Sequence, residues 1–509
     1  MSEQSRAFPG RPNLRFLKLE AKRRLAAGEF GTLHDAQLAI AREHGLPSWT
    51  ALKESVGAPG HALAQVRWVL ARFAGAAGPG WTAPDQDELA AHFDEHFLGL
   101  VPPATLARTL TPVAGQLSAE LTVTRETPLS VRARLDGLAV EAAAEAAPPH
   151  RLTTLRMYPL GDRVSDPRLA APPSHPSGDV PAVAATVAAE SLAELGLPGL
   201  VLAGPVLANP VLANPVLAGS AGQQPWSAAQ GWADLDRGEA LQARHRFPAW
   251  SVTKLITATA VLRLAADGQL SLDDPASQHL RTIRLADATV TVRELLSHTG
   301  GVASPDDLFA ATVPALAEVT GPELACPGPR GTFRYSNGGY AALGALISDI
   351  TERPYPQAAA ELVLRPLGMT SSSFPGQWPD HDAITGYKLD DDGSFGPVEP
   401  QVCVIPAAGG LWSTAADLVR FGQGWASLLP GELAREALRP HADRDPDGAQ
   451  IGLGWLLHQP KDLCGHAGGG PGAAASLLSR LSDGQTTVAL ASRLVPIEPV
   501  NARLARPVS

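Results

Sequence analysis

Residues 249–267 read Ala-Trp-Ser-Val-Thr-Lys-Leu-Ile-Thr-Ala-Thr-Ala-Val-Leu-Arg-Leu-Ala-Ala-Asp and run into Gly268, and no other stretch limits the fold as much. Leu255, Ala258, Val261, Leu262 and Leu264 recur at helical spacing and Gly268 suits a C-cap, which predicts a helix buried in a core. At its start Ser251 and Lys254 stand one helical turn apart, so hydroxyl and amine share a face with Cβ atoms about 5–6 Å apart. A serine hydroxyl is inert at neutral pH until a neighbour takes its proton, and a desolvated lysine can do so or support a second base. The helix N-terminus also offers backbone N–H groups to a developing oxyanion. Ser-x-x-Lys alone arises by chance on many surface helices. Here the chain has six lysines, at 18, 22, 53, 254, 388 and 461, and only Lys254 has a serine three residues before it. Its apolar helix face makes a solvated surface lysine a poor account of it.

Around this helix there is room for more than one domain, since 509 residues exceed what a single core usually organises. The net charge of −10 argues against a general nucleic-acid binder. The amino terminus has no apolar signal region and no uninterrupted apolar run reaches about 18 residues, so no membrane association and a cytoplasmic location are expected. Cys326, Cys403 and Cys464 are odd in number and lack metal-ligand spacing, so neither a disulfide framework nor a metal site is expected.

Residues 1–58 read as a small helical module with helices at 13–27, 33–44 and 50–56, and no partner for it can be named. Residues 62–165 read as an α+β unit in which helices at 61–74 and 85–97 lead into strands at 117–124, 130–135 and 151–158. That order resembles the nuclear-transport-factor-2-like (NTF2-like, or steroid-isomerase-like) domain. The resemblance carries no catalytic residue across and implies a packing or lid role. The proline-rich stretch 166–181 reads as a linker to a domain at 182–509, which opens with a helix over 183–195 and a strand from Pro198-Gly199. Val-Leu-Ala then recurs at 201, 206, 211 and 216, too few copies for a solenoid, and an expanded hairpin loop returning at 228–233 is the better reading.

Further on stand Leu295-Leu-Ser-His-Thr-Gly-Gly301, Arg334-Tyr-Ser-Asn-Gly-Gly-Tyr340, Gly410-Leu-Trp-Ser-Thr-Ala-Ala-Asp417 and Cys464-Gly-His-Ala-Gly-Gly-Gly470. With Ser251-x-x-Lys254, Tyr335-Ser336-Asn337 and His466-Ala467-Gly468 in this chain order, the region from about 180 to 505 resembles the serine β-lactamase and penicillin-binding-protein superfamily, in its class C-like branch of esterases, D-aminopeptidases and DD-peptidases. The resemblance implies an antiparallel sheet flanked by helices plus a helical subdomain, the β-lactamase/transpeptidase-like α+β fold.

The resemblance also implies roles. Ser251 is expected to attack a carbonyl and form an acyl-enzyme. A tyrosine hydroxyl titrates near pH 10 in water, so Tyr335 serves as a base only beside a cation such as Lys254, and the two are expected to share the proton as a pair. Asn337 would accept from Lys254 and face the substrate. His466, Gly468 and Gly469 would edge the cleft, with the backbone N–H groups of Ser251 and Gly469 forming an oxyanion hole. His298 is expected to be part of a structural turn. Class C β-lactamases generally carry Lys-Thr-Gly where this chain has His-Ala-Gly, so the hydroxyl that would hold a substrate carboxylate is missing at Ala467. The expectation is therefore a cofactor-free serine hydrolase, foremost an esterase on small esters. A DD-peptidase, D-aminopeptidase or weak β-lactamase is the first alternative, and a non-catalytic acyl- or penicillin-recognising protein is the second.

Overall fold

A computed structural model of the chain describes residues 14–26, 30–43, 49, 60–205 and 225–505, apart from 77, 79–80, 95–96, 99–100, 102, 112–113, 127–128, 146–147, 161–163, 391 and 445–448. It divides into two compact units, Met1–Leu160 and Gly161–Ser509.

In the first unit the helices Leu14–Ala26 and Leu33–Glu43 bury Ala21, Ala36, Ile40 and Ala41 against each other. The helix expected at 50–56 lies outside the described residues. Helix His61–Phe73 lays Ala62, Val66, Val69 and Phe73 on a four-stranded antiparallel meander of Thr122–Glu126, Ser130–Leu135, Leu138–Ala144 and Leu152–Pro159. Two expectations are corrected here, and one strand is added. The strand expected over 117–124 is Thr122–Glu126, because the residues before it are spent on turn hydrogen bonds such as Leu117 N to Ala114 O and Ala119 N to Gln116 O. The helix expected over 85–97 is only Gln86–Ala90, because Phe93 leaves it to bridge Leu152. The strand Leu138–Ala144 was not foreseen: its alanines and aliphatics are mostly buried and do not alternate with polar residues. Asp136 and Gly137, both at positive φ (43° and 72°), make the two-residue turn that pairs it with Ser130–Leu135.

The second unit is built on one antiparallel sheet. Its strand order is Ala442–Asp443, Gln450–Ile451, Leu456–His458, Leu463–Gly470, Ala473–Arg480, Thr486–Ala491, Gly199–Gly204, Trp226–Asp234 and Ser174–Ser177. The last of these corrects the linker expected at 166–181, since Ser174–Ser177 pairs with Trp226–Asp234. Pro176 fits there because an edge strand has one side that needs no N–H donor. Gly199–Gly204 and Trp226–Asp234 pair antiparallel, so the first Val-Leu-Ala copy lies in a strand and the other three lie outside the described residues.

Helices Ala182–Glu194 and Glu498–Leu504 pack together on the sheet, and Asn501 pins the second by donating to the carbonyls of Ser476 (3.1 Å) and Thr487 (3.0 Å). Helix Ala415–Gly424 also lies on the sheet, and Thr253–Ala266, Asn337–Thr351, Tyr355–Ala359 and Pro406–Gly409 form a helical group beside Leu463–Gly470. Thr253–Ala266 is buried continuously from Thr253 through Leu262, as expected for a core helix, and the buried stretch includes Lys254 and three threonines. The threonine hydroxyls within it must find partners, and Thr257 Oγ1 meets Ala407 O at 2.6 Å and Tyr355 Oη at 2.7 Å. These bonds tie the helix to the elements that carry the site.

Candidate active site

Ser251 sits in a short 3-10 turn, Trp250–Val252, that feeds the buried helix. Trp250 has φ of 45°, in the left-handed region where a bulky residue stores strain. Its indole Nε1 donates to Ala473 O at 3.2 Å and its ring meets Phe309 edge-on at 5.1 Å, which holds the turn in place. The strand Leu463–Gly470 approaches this turn so closely that a Cβ on Gly468 would fall 2.5 Å from Ala249 O and 2.6 Å from Ser251 N. Only glycine permits that approach.

One turn on, Lys254 is fully buried, and its ammonium spends all three N–H groups: on Ser251 Oγ at 3.1 Å, Asn337 Oδ1 at 2.8 Å and Ala408 O at 2.8 Å. Its Nζ lies 4.9 Å from the centre of the Tyr335 ring. Tyr335 Oη donates to Ser251 Oγ at 2.9 Å. The Tyr-Ser-Asn tripeptide is the entry to helix Asn337–Thr351, where Ser336 Oγ caps Gly339 N at 2.8 Å and Ser304 Oγ accepts from Asn337 N at 2.9 Å. Four expected residues, Ser251, Lys254, Tyr335 and Asn337, thus form one hydrogen-bonded cluster assembled from two helix N-termini.

The third motif lies alongside. The buried His466 ring is 6.1 Å from the Tyr335 ring, Gly468 lies against the serine turn, and Gly469 is exposed near the end of its strand. His466 Nδ1 is 2.7 Å from Ala467 O, and because a carbonyl only accepts, Nδ1 carries the proton. Burial, then the Lys254 cation, push the imidazole down to about 3, so it is neutral at physiological pH. This has a consequence for stability. The unfolded chain binds a proton at this histidine below its ordinary value of 6.5, while the native site refuses it until about 3. Stability conferred by neutral His466 is therefore complete above pH 6.5 and declines as pH falls toward 3, by about 3 kcal/mol at pH 4.5. Thermal melts at pH 7.5 and 4.5 should show a larger acid loss in wild type than in His466→Gln. Equal losses would contradict the assignment.

The site contains one residue the sequence had assigned only to a turn. His298 is buried at φ of 57°, its Nδ1 accepts from Ser336 N at 3.1 Å, and its ring lies 4.6 Å from that of Tyr335 and 5.0 Å from that of Tyr340. It buttresses the tyrosine turn from behind. The signal that could have found it is a histidine, rather than glycine or asparagine, at a turn position in Leu-Leu-Ser-His-Thr-Gly-Gly. Cys464 and Cys403 are buried thiols pushed up by desolvation, the first to about 12, which leaves them protonated and inert. Among the described residues no three His, Cys, Asp or Glu side chains gather as metal ligands. No helix among them is long and apolar enough to cross a membrane.

A family model described as Beta-lactamase matches residues 184–507. Protein flp of Staphylococcus aureus is 33% identical over 172 residues, which cover 31% of this chain and 34% of that protein. The putative penicillin-binding protein PbpX of Bacillus subtilis is 27% identical over 255 residues, covering 48% of this chain and 61% of that protein. The chain therefore spans less than two thirds of the length of these curated relatives. Among solved structures, a penicillin binding protein from Bacillus halodurans superposes with a TM-score of 0.52 at 21% identity, over 64% of this chain and 99% of that one. A D-amino acid amidase from Ochrobactrum anthropi SV3 gives 0.51 at 22% identity, over 63% and 96%. These structures share the fold, an antiparallel sheet with helices packed on it and a helical group beside it.

Proposed function

The chain belongs to the beta-lactamase family, as a serine hydrolase of the β-lactamase and penicillin-binding-protein superfamily, and on that premise we propose that Ser251 hydrolyses small esters through an acyl-enzyme. The observation that carries this reading is that Ser251 Oγ lies within hydrogen-bond distance of both Lys254 Nζ (3.1 Å) and Tyr335 Oη (2.9 Å). The pair of Lys254 and Tyr335 reacts when it is one proton short, as ammonium with phenolate or as amine with phenol, and as Oγ bonds to the carbonyl carbon its proton passes to that pair. Collapse of the tetrahedral species breaks the bond to the leaving alcohol, which takes that proton. Water then attacks the acyl carbon and gives a proton to the same pair. The carbon–Oγ bond breaks, Ser251 regains its hydrogen and the carboxylic acid departs. Lys254 and Tyr335 act as a unit, and the proton belongs to the pair. Asn337 holds the ammonium in register through its Oδ1. The N–H groups of Ser251 and Gly469 are the proposed oxyanion donors, in a strand edge that glycine keeps open.

Ester preference rests on the third motif. Ala467 offers no hydroxyl and His466 is neutral, so a substrate carboxylate meets neither of the groups that Lys-Thr-Gly supplies. The same relay can protonate an amine, which keeps amide hydrolysis as the second reading. A panel of a short-chain p-nitrophenyl ester, a D-amino acid amide and nitrocefin separates them. The ester is expected to give the highest kcat/KM, and faster turnover of either nitrogen-containing substrate would reverse the order. For residues 62–165 we propose the NTF2-like domain, supported by a helix laid on a four-stranded antiparallel meander. For the protein as a whole we propose a cytoplasmic location, with small molecules rather than nucleic acid as ligands.

A further inference from the structure

The short helix Val292–Leu296 ends in a turn that suits glycine and carries histidine. Thr299 N donates to Glu294 O at 2.8 Å and His298 N to Leu295 O at 3.4 Å, the pair of bonds that closes a helix on a left-handed residue. His298 is that residue, at φ of 57°. Glycine adopts this conformation freely and asparagine readily, whereas a histidine stores strain in it. Closing the helix therefore does not account for the imidazole, and its contacts do. Arg334 N donates to His298 O at 2.8 Å, and Ser336 N donates to His298 Nδ1 at 3.1 Å. One residue thus grips the backbone on both sides of Tyr335. Its ring, 3% exposed, also lies against the rings of Tyr335 and Tyr340, at 4.6 and 5.0 Å.

We propose that His298 is a positioning residue for the hydrolysis, whose Nδ1 lone pair fixes Ser336 N–H and so aims the Tyr335 hydroxyl at Ser251 Oγ. This rests on the reading of Ser251 as the nucleophile and Tyr335 as part of its base. A tyrosine hydroxyl stands at the end of a long rigid side chain, so a small rotation of the backbone swings it out of the 2.9 Å contact with Ser251. A misplacement of about 1 Å can cost about a hundredfold in rate. Asn337 is held separately, since its N–H donates to Ser304 Oγ at 2.9 Å. Loss of the Nδ1 acceptor should therefore fall on the tyrosine.

Two substitutions suit the left-handed turn and both remove the ring. His298→Asn keeps an acceptor, Oδ1, close to where Nδ1 stands, and His298→Gly keeps none. With a short-chain p-nitrophenyl ester, His298→Gly is expected to lower kcat by about tenfold to a hundredfold while KM stays within about twofold, because the lost interaction serves the chemical step. His298→Asn should stay within about threefold of the wild-type kcat. The decisive comparison is made in Tyr335→Phe, which has no hydroxyl to aim. There, His298→Gly should change the residual kcat by less than about twofold. A fall as large as in the wild-type background would overturn the proposal, because the histidine would then act without the tyrosine. Should His298→Gly fail to fold, His298→Asn decides alone: a folded variant that has lost about tenfold or more in kcat would also overturn it. Fluorophosphonate labelling of wild type keeps the two readings apart. Labelling together with an unchanged kcat in His298→Gly removes only the role of His298, and absence of labelling removes the nucleophile itself.

Discussion

Replacing Ser251 with alanine is expected to lower kcat for a short-chain ester by about four orders of magnitude or more while leaving the fold intact. The size of the effect follows from the chemistry: without Oγ there is no atom to carry the acyl group, and neither Lys254 nor Tyr335 is aimed to replace it. Structural cost should be small. Ser251 is only partly buried, and the lysine keeps two of its three partners, Asn337 Oδ1 and Ala408 O. Circular dichroism and the melting temperature of Ser251→Ala should match wild type. A variant that retained a tenth of the wild-type rate would show that some other group performs the attack.

The second large effect concerns Lys254, where catalysis and stability should part. Lys254→Met keeps a long unbranched side chain and removes the charge. The relay loses its cation and one proton carrier, so kcat should fall by about three orders of magnitude or more. Stability answers to opposing terms. The change leaves Ala408 O and Asn337 Oδ1 without a donor, at about 1–3 kcal/mol for each acceptor that water cannot reach. It also relieves a fully buried ammonium of its desolvation cost, a term of several kcal/mol. The two nearly offset, and the melting temperature is expected to shift by no more than a few degrees in either direction. Denaturation of the variant at room temperature would show that the lysine holds the helical group together. Wild-type turnover would remove it from the relay. A buried charge of this kind, whose net contribution to stability is close to zero, fits a site selected for chemistry rather than for stability.

Much of this site was legible before any coordinates, for physical reasons that differ by residue. Ser251 and Lys254 share a helical turn, so their spacing fixes their proximity. Tyr335 and Asn337 lie more than eighty residues away, and only their motif and chain order tied them to the first pair. The boundaries of the buried helix were readable from its apolar positions and Gly268. What could not be read has equally local causes. His298 belongs to the site through tilted ring contacts with Tyr335 and Tyr340 and a backbone bond from Ser336, none of which leaves a periodic trace. The strained φ of Trp250 depends on Gly468 and Ala473 from a distant hairpin. Leu138–Ala144 escaped because alanines buried on both faces erase the alternation that marks a half-buried strand, although Asp136-Gly137 announces the hairpin. Ser174–Ser177 escaped because prolines that suggest a linker are also tolerated at a sheet edge. The tautomer of His466 is a property of one hydrogen bond, which no sequence pattern reports.

The central claim is a covalent acyl-enzyme on Ser251, and intact-mass analysis tests it most directly. Wild type and Ser251→Ala would each be incubated with a fluorophosphonate and, separately, with a short-chain p-nitrophenyl ester quenched in acid. The adduct would then be located by peptide mapping. One mass increment on wild type, mapped to Ser251 and absent from the variant, is the predicted result. Labelling that persists in Ser251→Ala, or maps to another residue, would contradict the claim.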